Sequence, residues 1–363
     1  MRRAAVSPGA APFVQDTLGF EVQEMPMHLL AGFLLVLAAG LLQGTFILPM
    51  NLVRRWSWEH TWATFSLLGM FAFNWIIILL LVPNILTVYA ASPGRELALL
   101  ALFGMGWGVG AVLFGLGMEK LGMALGYPII MGLIASLGAL IPLLVFFPQT
   151  LLTRRGLLLL GGTALVVMGI VLSSIGGSRR AASGTKSSGT PARAFTIGLT
   201  IAVLAGVLSC LPNVGMAFGN GIIGAAERAG ISASSAGNTV WALLFTLGFV
   251  VNLAYCLYLM VVRRTFSQYW NRETPRNLGL SAMMALLWIG SFYLYGAGAA
   301  RLGRWGVVAG WPLFITLSIA VGYLWGLWRG EWREAPSSAR RLLNQGLLVL
   351  IVAVIVVGLS NFF

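Results

Sequence analysis

Charged residues are scarce in this sequence. Asp, Glu, Lys and Arg make up 9% of its 363 residues, whereas ordinary soluble domains carry about 25%. Hydrophobic residues reach 58%, and a soluble protein of that composition could not cover its surface with groups that water solvates. The composition therefore excludes an ordinary soluble domain and indicates an integral membrane protein.

The residues that carry out most enzyme chemistry are also few. The sequence has two His, two Cys and ten acidic residues, and the acids lie in tails, loops or the ends of apolar runs. No spacing in the sequence is typical of a metal site, a Ser-His-Asp set or a phosphate-binding loop. We therefore expect neither an enzyme nor a bound metal or cofactor.

Negative charge is scarcer than positive charge, and the net charge is +13. In a soluble protein this excess would suggest nucleic-acid binding, but here the basic residues lie in short segments between apolar runs. We interpret them as determinants of topology and as contacts to anionic lipid, with no nucleic acid as partner. Fifteen of the 23 Lys and Arg follow odd-numbered runs, so these loops are expected to be cytoplasmic and both termini periplasmic.

Ten apolar runs are long enough to cross a bilayer core, which takes about 20 residues in a helix. The sequence therefore predicts an all-α integral membrane protein with ten transmembrane helices. The runs cover residues 28–50, 61–83, 97–118, 122–146, 156–176, 195–218, 237–261, 277–298, 305–328 and 342–362.

A polar segment divides the ten runs into five and five. Residues 177–194 are rich in Gly, Ser, Arg and Lys and are predicted to form a flexible cytoplasmic linker. The segment 1–26 is expected to be a disordered N-terminal tail. The two halves are then residues 27–176 and residues 195–363.

A weak internal repeat relates the two halves. Because each copy has an odd number of spans, the second copy must enter the membrane from the opposite side. This predicts a 5+5 inverted-topology repeat, an architecture typical of secondary transporters with a substrate site near the midplane. The matching segments are Ala39-Gly40-Leu41-Leu42 with Ala205-Gly206-Val207-Leu208, Trp107–Gly122 with Trp288–Gly303, and Gly126-Tyr127-Pro128 with Gly310-Trp311-Pro312.

Neutral polar and aromatic side chains inside the spans are the candidates for a substrate site. Aromatic rings stack on the C–H faces of a sugar while amides and hydroxyls bond its hydroxyl groups, so the set suits a small neutral polar solute such as a sugar. Helix–helix hydrogen bonding is the alternative role for each residue. The candidates are Gln43, Asn74, Trp107, Tyr127, Asn213, Trp288, Ser291, Tyr295 and Trp311.

Two prolines occupy equivalent positions in the repeat. Pro128 and Pro312 are predicted to break the fourth and ninth spans near their ends. Broken helices expose backbone groups where protein or water can satisfy them, so we expect the two prolines to form a paired gate.

Several motifs rich in tryptophan and glycine give the chain a family resemblance over roughly residues 28–362. In them it resembles the L-rhamnose–proton symporters of the drug/metabolite transporter superfamily. The motifs are Trp56-Ser57-Trp58-Glu59 with Trp62, Gly106-Trp107-Gly108-Val109-Gly110, Phe114-Gly115-Leu116-Gly117-Met118, Leu121-Gly122-Met123, Trp288, Tyr295, Gly298, Ala300-Arg301, Trp311 and Glu331-Trp332.

The resemblance implies a bacterial inner-membrane protein with ten spans that takes up a deoxy sugar with protons. The chain departs from the family pattern in the apolar segment Gly306-Val307-Val308 and in having no acid at mid-membrane. Glu59 and Glu331 fit family motifs and are the candidates for proton coupling, with anchoring at the interface as their alternative role. An exporter of metabolites or amino acids, or a sensor or scaffold that transports nothing, are the alternative functions.

Overall fold

A computed structural model describes residues 27–182, 192–302 and 310–360. The predicted tail at residues 1–26, the middle of the linker and Gly306-Val307-Val308 lie outside the described residues. The helix of the fifth span continues to Ala182, and the next helix begins at Ala192. The helices therefore extend into both ends of the segment 177–194 that the sequence assigned to the linker, because glycine and serine do not prevent a helix from continuing.

Ten helical spans are long and apolar enough to cross a membrane, which confirms the predicted all-α, ten-span class. The described residues contain no β-strand. Spans 1 to 10 are Leu29–Leu52, Trp58–Leu81, Gly94–Leu121, Met123–Phe146, Arg154–Arg180, Arg193–Phe218, Asn238–Arg263, Thr274–Leu302, Trp311–Trp328 and Ser337–Leu359.

Two spans change helix type along their length, and a third is interrupted. Span 1 is an α-helix from Met27 to Thr45 followed by a 3₁₀ turn over Leu48–Leu52. Span 2 has a π-helical stretch at Leu67–Phe73 between two α-helical parts. Span 6 divides at Cys210, because the proline at position 212 has no N–H to continue the helix ladder.

Short helices lie in the connections between spans. They are the α-helices Ile85–Ala90, Asn220–Arg228 and Ala233–Ala236 and the 3₁₀ turns Pro148–Thr150 and Phe266–Tyr269.

Spans 5 and 10 form a close pair. A Cβ atom on Gly169 of span 5 would lie only 3.0 Å from the carbonyl oxygen of Gly346 in span 10, and a Cβ atom on Gly162 would lie 2.6 Å from Cγ2 of Val357. Small residues allow two membrane helices to approach this closely and to gain van der Waals contact. The pair leaves spans 1–4 and 6–9 to surround the space between the two halves.

The other spans pack in crossed pairs between the halves. Span 1 lies along spans 8 and 9 of the second half, and span 6 lies along spans 3 and 4 of the first half. Span 2 packs on spans 7 and 8, and span 7 packs on spans 2 and 3. The interface between the halves is therefore extensive, and a cavity at its centre takes residues from both.

The pair of adjacent glycines at 161 and 162 offers a matched stability test. Gly162 faces span 10, whereas a Cβ atom on Gly161 would meet nothing within 4 Å. We expect Gly162→Leu to reduce stability by about 1–3 kcal/mol through overpacking and Gly161→Leu to leave it unchanged. Thermal unfolding in detergent measures both, and equal melting temperatures would show that this helix contact does not stabilise the fold.

Candidate functional site

A cavity lies between the two halves, with residues of spans 1–4 and 6–9 in its wall. The space within it that the centre of a water molecule can reach is about 90 Å³, enough for several water molecules. None of the described residues in its wall is charged. The cavity therefore suits a neutral ligand.

Stacked tryptophans form one wall of the cavity. The rings of Trp107 and Trp288 lie 6.1 Å apart between centroids, with 18° between their planes. Phe245 packs against both, at 5.1 Å and 5.0 Å. The two tryptophans are equivalent positions in the predicted repeat, so each half supplies one of the pair. Flat rings of this kind offer apolar faces to the C–H side of a sugar.

Gln43 supplies an amide to the cavity wall, and hydrogen bonds from residues outside the wall hold it in place. Its side-chain oxygen accepts a hydrogen bond of 2.6 Å from the Ser291 hydroxyl, and its backbone carbonyl accepts one of 2.8 Å from the Tyr127 hydroxyl. The Ser291 hydroxyl also lies 2.7 Å from the carbonyl oxygen of Trp288 and has one hydrogen to share between the two oxygens, so the Gln43 amide is held in place and keeps hydrogen-bonding capacity for a ligand. Ser291 and Tyr127 therefore position this wall residue and do not line the cavity themselves.

Two further polar groups, Ser209 and Asn213, lie on span 6 at the cavity wall. The Asn213 amide packs closely on Gly138 of span 4, where a Cβ atom would lie 2.5 Å from Nδ2. An alanine at position 138 would push this amide away. The wall thus combines amides and a hydroxyl with aromatic faces, as recognition of a polyhydroxylated ligand requires.

Trp62 joins the cavity to a buried amide between spans 3 and 7. Its indole N–H donates to Oδ1 of Asn252 over 2.7 Å. The Asn252 amide nitrogen donates to the carbonyl oxygens of Gly108 and Gly248, at 3.1 Å and 2.8 Å. The amide is fully engaged, so Asn252 fixes Trp62 and is itself structural.

The nine predicted substrate residues fall into two groups. Gln43, Trp107, Asn213, Trp288 and Trp311 line the cavity. The other four do not, because they lie one layer behind the wall or beyond it. They are Tyr127 and Ser291 behind Gln43, Tyr295 with its ring 5.2 Å from that of Trp311, and Asn74.

Asn74 is buried at the end of the π-helical stretch of span 2, and neither polar atom of its side chain has a hydrogen-bond partner in the described part of the chain. Trp62 and Trp241, by contrast, line the cavity but were not among the predicted substrate residues. Thr61-Trp62 and Gly69 of span 2 match Val240-Trp241 and Gly248 of span 7 in the repeat, and this match is the signal that could have identified them.

One end of the bundle, which we call the closed end, is held by bonds between the halves. Glu59, at the start of span 2, is fully buried. Its carboxylate accepts hydrogen bonds from Arg263 (3.0 Å) and from the Thr265 hydroxyl (3.1 Å). The backbone N–H of Ser57 donates to the Gln268 side-chain oxygen over 2.6 Å. These bonds join the beginning of span 2 to the end of span 7.

Glu331 forms the second carboxylate contact at the closed end, between span 9 and span 4. Its two oxygens each lie 3.0 Å from a backbone nitrogen, one of Met123 and one of Ala124, where a helix N-terminus favours negative charge. Gly122 precedes them with φ +78°, and a Cβ atom there would collide with the Glu331 carboxylate. Both predicted coupling acids thus hold the halves together.

Closure at this end leaves some polar groups unsatisfied. The indole N–H groups of Trp56, Trp58 and Trp332 are buried without a hydrogen-bond partner among the described residues. An unmade bond of this kind costs about 1–3 kcal/mol. The free-energy cost of these unmade bonds offsets part of the stabilisation that the carboxylate contacts give the closed end.

Neither of the two predicted gating prolines interrupts the helix of its span. The helix Met123–Phe146 continues through Pro128 and Pro142 without a break, although each proline removes one backbone N–H donor from the helix. Pro312 lies in the first turn of span 9 and packs on Gly358 of span 10. The two prolines therefore do not form a matched pair of helix breaks.

The cavity is more accessible from the opposite end, the open end. Wall residues toward the closed end, such as Gln43, Trp62 and Phe65, are at most 5% exposed. Asn213, Trp241, Phe292 and Trp311 are partly exposed and lie toward the ends of spans 6 to 9 where the even-numbered connections begin. The cavity is thus sealed at one end and open toward the other.

Comparison with known proteins identifies the family to which this chain belongs. The family model of the L-rhamnose-proton symport protein (RhaT) matches residues 25–362. The chain is 26% identical over 325 residues to the L-rhamnose-proton symporter of Mannheimia succiniciproducens, covering 87% of this chain and 93% of that protein. It is 27% identical over 324 residues to those of Shigella dysenteriae and Yersinia pestis, with the same coverage. The chain therefore belongs to the L-rhamnose-proton symport protein (RhaT) family, whose members are membrane transporters and not enzymes.

Proposed function

We propose that this protein takes up L-rhamnose or a related monosaccharide together with protons, by alternating access. The observation that carries the proposal is the uncharged cavity between the halves, sealed at one end by contacts of two carboxylates. The relatives' names supply the substrate and the co-substrate.

The cavity wall favours a sugar over the substrates of the alternative functions. An amino acid carries an ammonium and a carboxylate, and burying either without a countercharge is costly. The described wall residues include no countercharge. A scaffold would have no use for a wall that presents amides and aromatic faces to an internal space, whereas a sugar sensor could bind its ligand there and differs from a carrier in moving no sugar across the membrane. Uptake of a neutral sugar uses all of these features.

Alternating access follows from an inverted repeat of the two halves, and matched contacts support that repeat. A Cβ atom on Gly40 would lie 3.1 Å from the carbonyl oxygen of Phe314, and one on the equivalent Gly206 would lie 3.2 Å from that of Ile130. The alignment of Gly126-Tyr127-Pro128 with Gly310-Trp311-Pro312, extended by two residues, pairs Ile130 with Phe314. The same contact thus occurs once in each direction between the halves.

A second contact obeys the same relation. A Cβ atom on Gly32 would lie 2.9 Å from Cγ of Leu302, and one on Gly198 would lie 3.0 Å from Cδ2 of Leu121. Gly32 and Gly198 have the same separation in sequence as Gly40 and Gly206, and Leu121 matches Leu302 in the repeat. Two halves related in this way can exchange conformations, which would close the open end as the closed end opens.

The excess of Lys and Arg in the odd-numbered loops places the closed end at the cytoplasm. The cavity of this structure then opens to the periplasm, and both termini lie on the periplasmic side of a bacterial inner membrane. An outward-open cavity can accept sugar from outside.

Proton coupling follows from the two carboxylate contacts at the closed end. Protonation of Glu59 would remove the charge that Arg263 pairs with, and protonation of Glu331 would weaken its bonds to the start of span 4. Either event favours opening toward the cytoplasm. A proton that enters with the sugar can therefore drive the step that delivers the sugar.

Loss of the stacked tryptophans should weaken sugar binding. We expect Trp107→Ala and Trp288→Ala each to raise the Kd for L-rhamnose about tenfold, equivalent to about 1.4 kcal/mol of lost contact. Titration calorimetry in detergent measures the Kd, and immunoblotting measures protein abundance. Trp328→Ala is the control, because this tryptophan is 73% exposed and lies outside the cavity wall. A loss of abundance equal to the loss of binding would mean that the pair only packs helices.

Uptake into proteoliposomes tests the transport function itself. We expect labelled L-rhamnose to accumulate when the outside is more acidic than the inside, and a protonophore to abolish the accumulation. Uptake that ignores the pH gradient would contradict proton symport. Efflux of amino acids without sugar uptake would favour the exporter, and no transport of either would favour the sensor or scaffold.

A further inference from the structure

His60 is a buried titratable group at the closed end that neither carboxylate contact uses. It follows Glu59 in span 2, and its side chain has no exposed surface. Its ring nitrogen Nε2 lies 2.9 Å from the carbonyl oxygen of Thr265. A carbonyl oxygen only accepts hydrogen bonds, so Nε2 carries the hydrogen and donates it.

The second ring nitrogen of His60 is left without a partner. Nδ1 is buried and makes no hydrogen bond within the residues that the structure describes. In a neutral imidazole with its hydrogen on Nε2, Nδ1 carries a free lone pair. A proton can add there without breaking an existing bond, whereas protonation of Glu59 competes with its ion pair to Arg263.

The groups around His60 determine what a proton does there. Glu59 is its neighbour in the chain, and Arg263 and the buried thiol of Cys256 come from span 7, beside Glu59. Tyr269 comes from the 3₁₀ turn after span 7, with its ring 4.7 Å from the imidazole and its hydroxyl donating to the His60 carbonyl. Burial raises the pKa of the Tyr269 hydroxyl, so Tyr269 stays neutral across the physiological range.

The closed end favours the neutral form of this imidazole. A buried imidazolium would lose its hydration, and the neighbouring carboxylate of Glu59 is already paired with Arg263. Separation of span 2 from the end of span 7 would bring water to the ring. The protonated form therefore favours the arrangement in which this end is open.

We propose that His60 is a proton-binding site of the transport cycle, with Nδ1 as the acceptor atom; this inference rests on the proposed proton-coupled uptake. A proton from the periplasmic side adds to the Nδ1 lone pair and forms an N–H bond. The charged ring destabilises the closed end, and spans 2 and 7 separate. Water on the cytoplasmic side accepts the proton from Nδ1, the neutral ring is restored, and the end closes again.

His60→Gln tests the inference. A glutamine amide can donate to the Thr265 carbonyl as Nε2 does, but it binds no proton at physiological pH. We expect His60→Gln to retain L-rhamnose binding and sugar exchange at equal pH. We expect it to lose both the accumulation driven by a pH gradient and the proton uptake that accompanies sugar entry, read with a pH-sensitive dye. Tyr269→Phe is the matched control, since it removes a hydroxyl bond beside His60 and leaves the imidazole intact; it should retain coupling.

The outcomes separate this inference from the proposed function. If the wild-type protein moves sugar without protons, the proposed symport fails. If the wild type is coupled and His60→Gln is coupled equally, the symport stands and the role of His60 is refuted.

A second measurement avoids any dependence on the folding of the variant. The sequence has two histidines, so His28→Gln leaves His60 as the only one for ¹⁵N NMR. We expect the ring to carry its hydrogen on Nε2 at neutral pH and to become protonated on acidification with sugar present. A hydrogen on Nδ1, or no titration over the pH range in which uptake is coupled, would overturn the inference.

Discussion

A charge buried in a membrane protein must find its partners within the protein, because neither lipid nor water solvates it there. This constraint sets the form of the closed end. Glu59 is fully buried and is matched by Arg263 from the other half, and Glu331 is matched by the backbone N–H groups that begin span 4. While this end is closed, each carboxylate is satisfied by groups of the other half. Pairing of the two carboxylates thus holds the halves together at this end. The unpartnered indole N–H groups at the same end offset part of that stabilisation.

The cavity satisfies the constraint on buried charge in a different way. Its described wall has no charge, so it requires no countercharge from a ligand, and it offers amide donors and aromatic faces instead. The groups that we propose bind the sugar are therefore separate from the groups that we propose respond to protons. The stacked pair Trp107 and Trp288 lines the cavity between the carboxylate contacts and the open end, and each half supplies one of the two residues. A ligand that contacts both halves can therefore shift the equilibrium between their relative positions.

The ten-span fold was predictable because the length of an apolar run is a property of sequence alone. Trp107, Trp288 and Gln43 were predictable as wall residues because polar and aromatic groups are conspicuous in apolar helices. Which side of a helix faces the cavity was not predictable: Tyr127 and Ser291 lie one layer too deep, and the π-helical stretch before Asn74 shifts the phase that regular spacing assumes. Whether a proline breaks its span was not predictable either, since the helix of span 4 continues through Pro128. The contact of Glu59 with Arg263 joins residues 204 positions apart, which periodicity does not reveal.

Access to one cavity residue tests the central claim, that carboxylate bonds between the halves seal the cytoplasmic end. Ala111 lines the cavity, and Ala111→Cys in a background with Cys210→Ala and Cys256→Ala provides a single thiol for a membrane-impermeant reagent. We predict labelling from the periplasmic side only, and labelling from the cytoplasmic side as well once Glu59→Gln is added. Labelling from the cytoplasmic side at the same rate with and without Glu59→Gln would contradict the account.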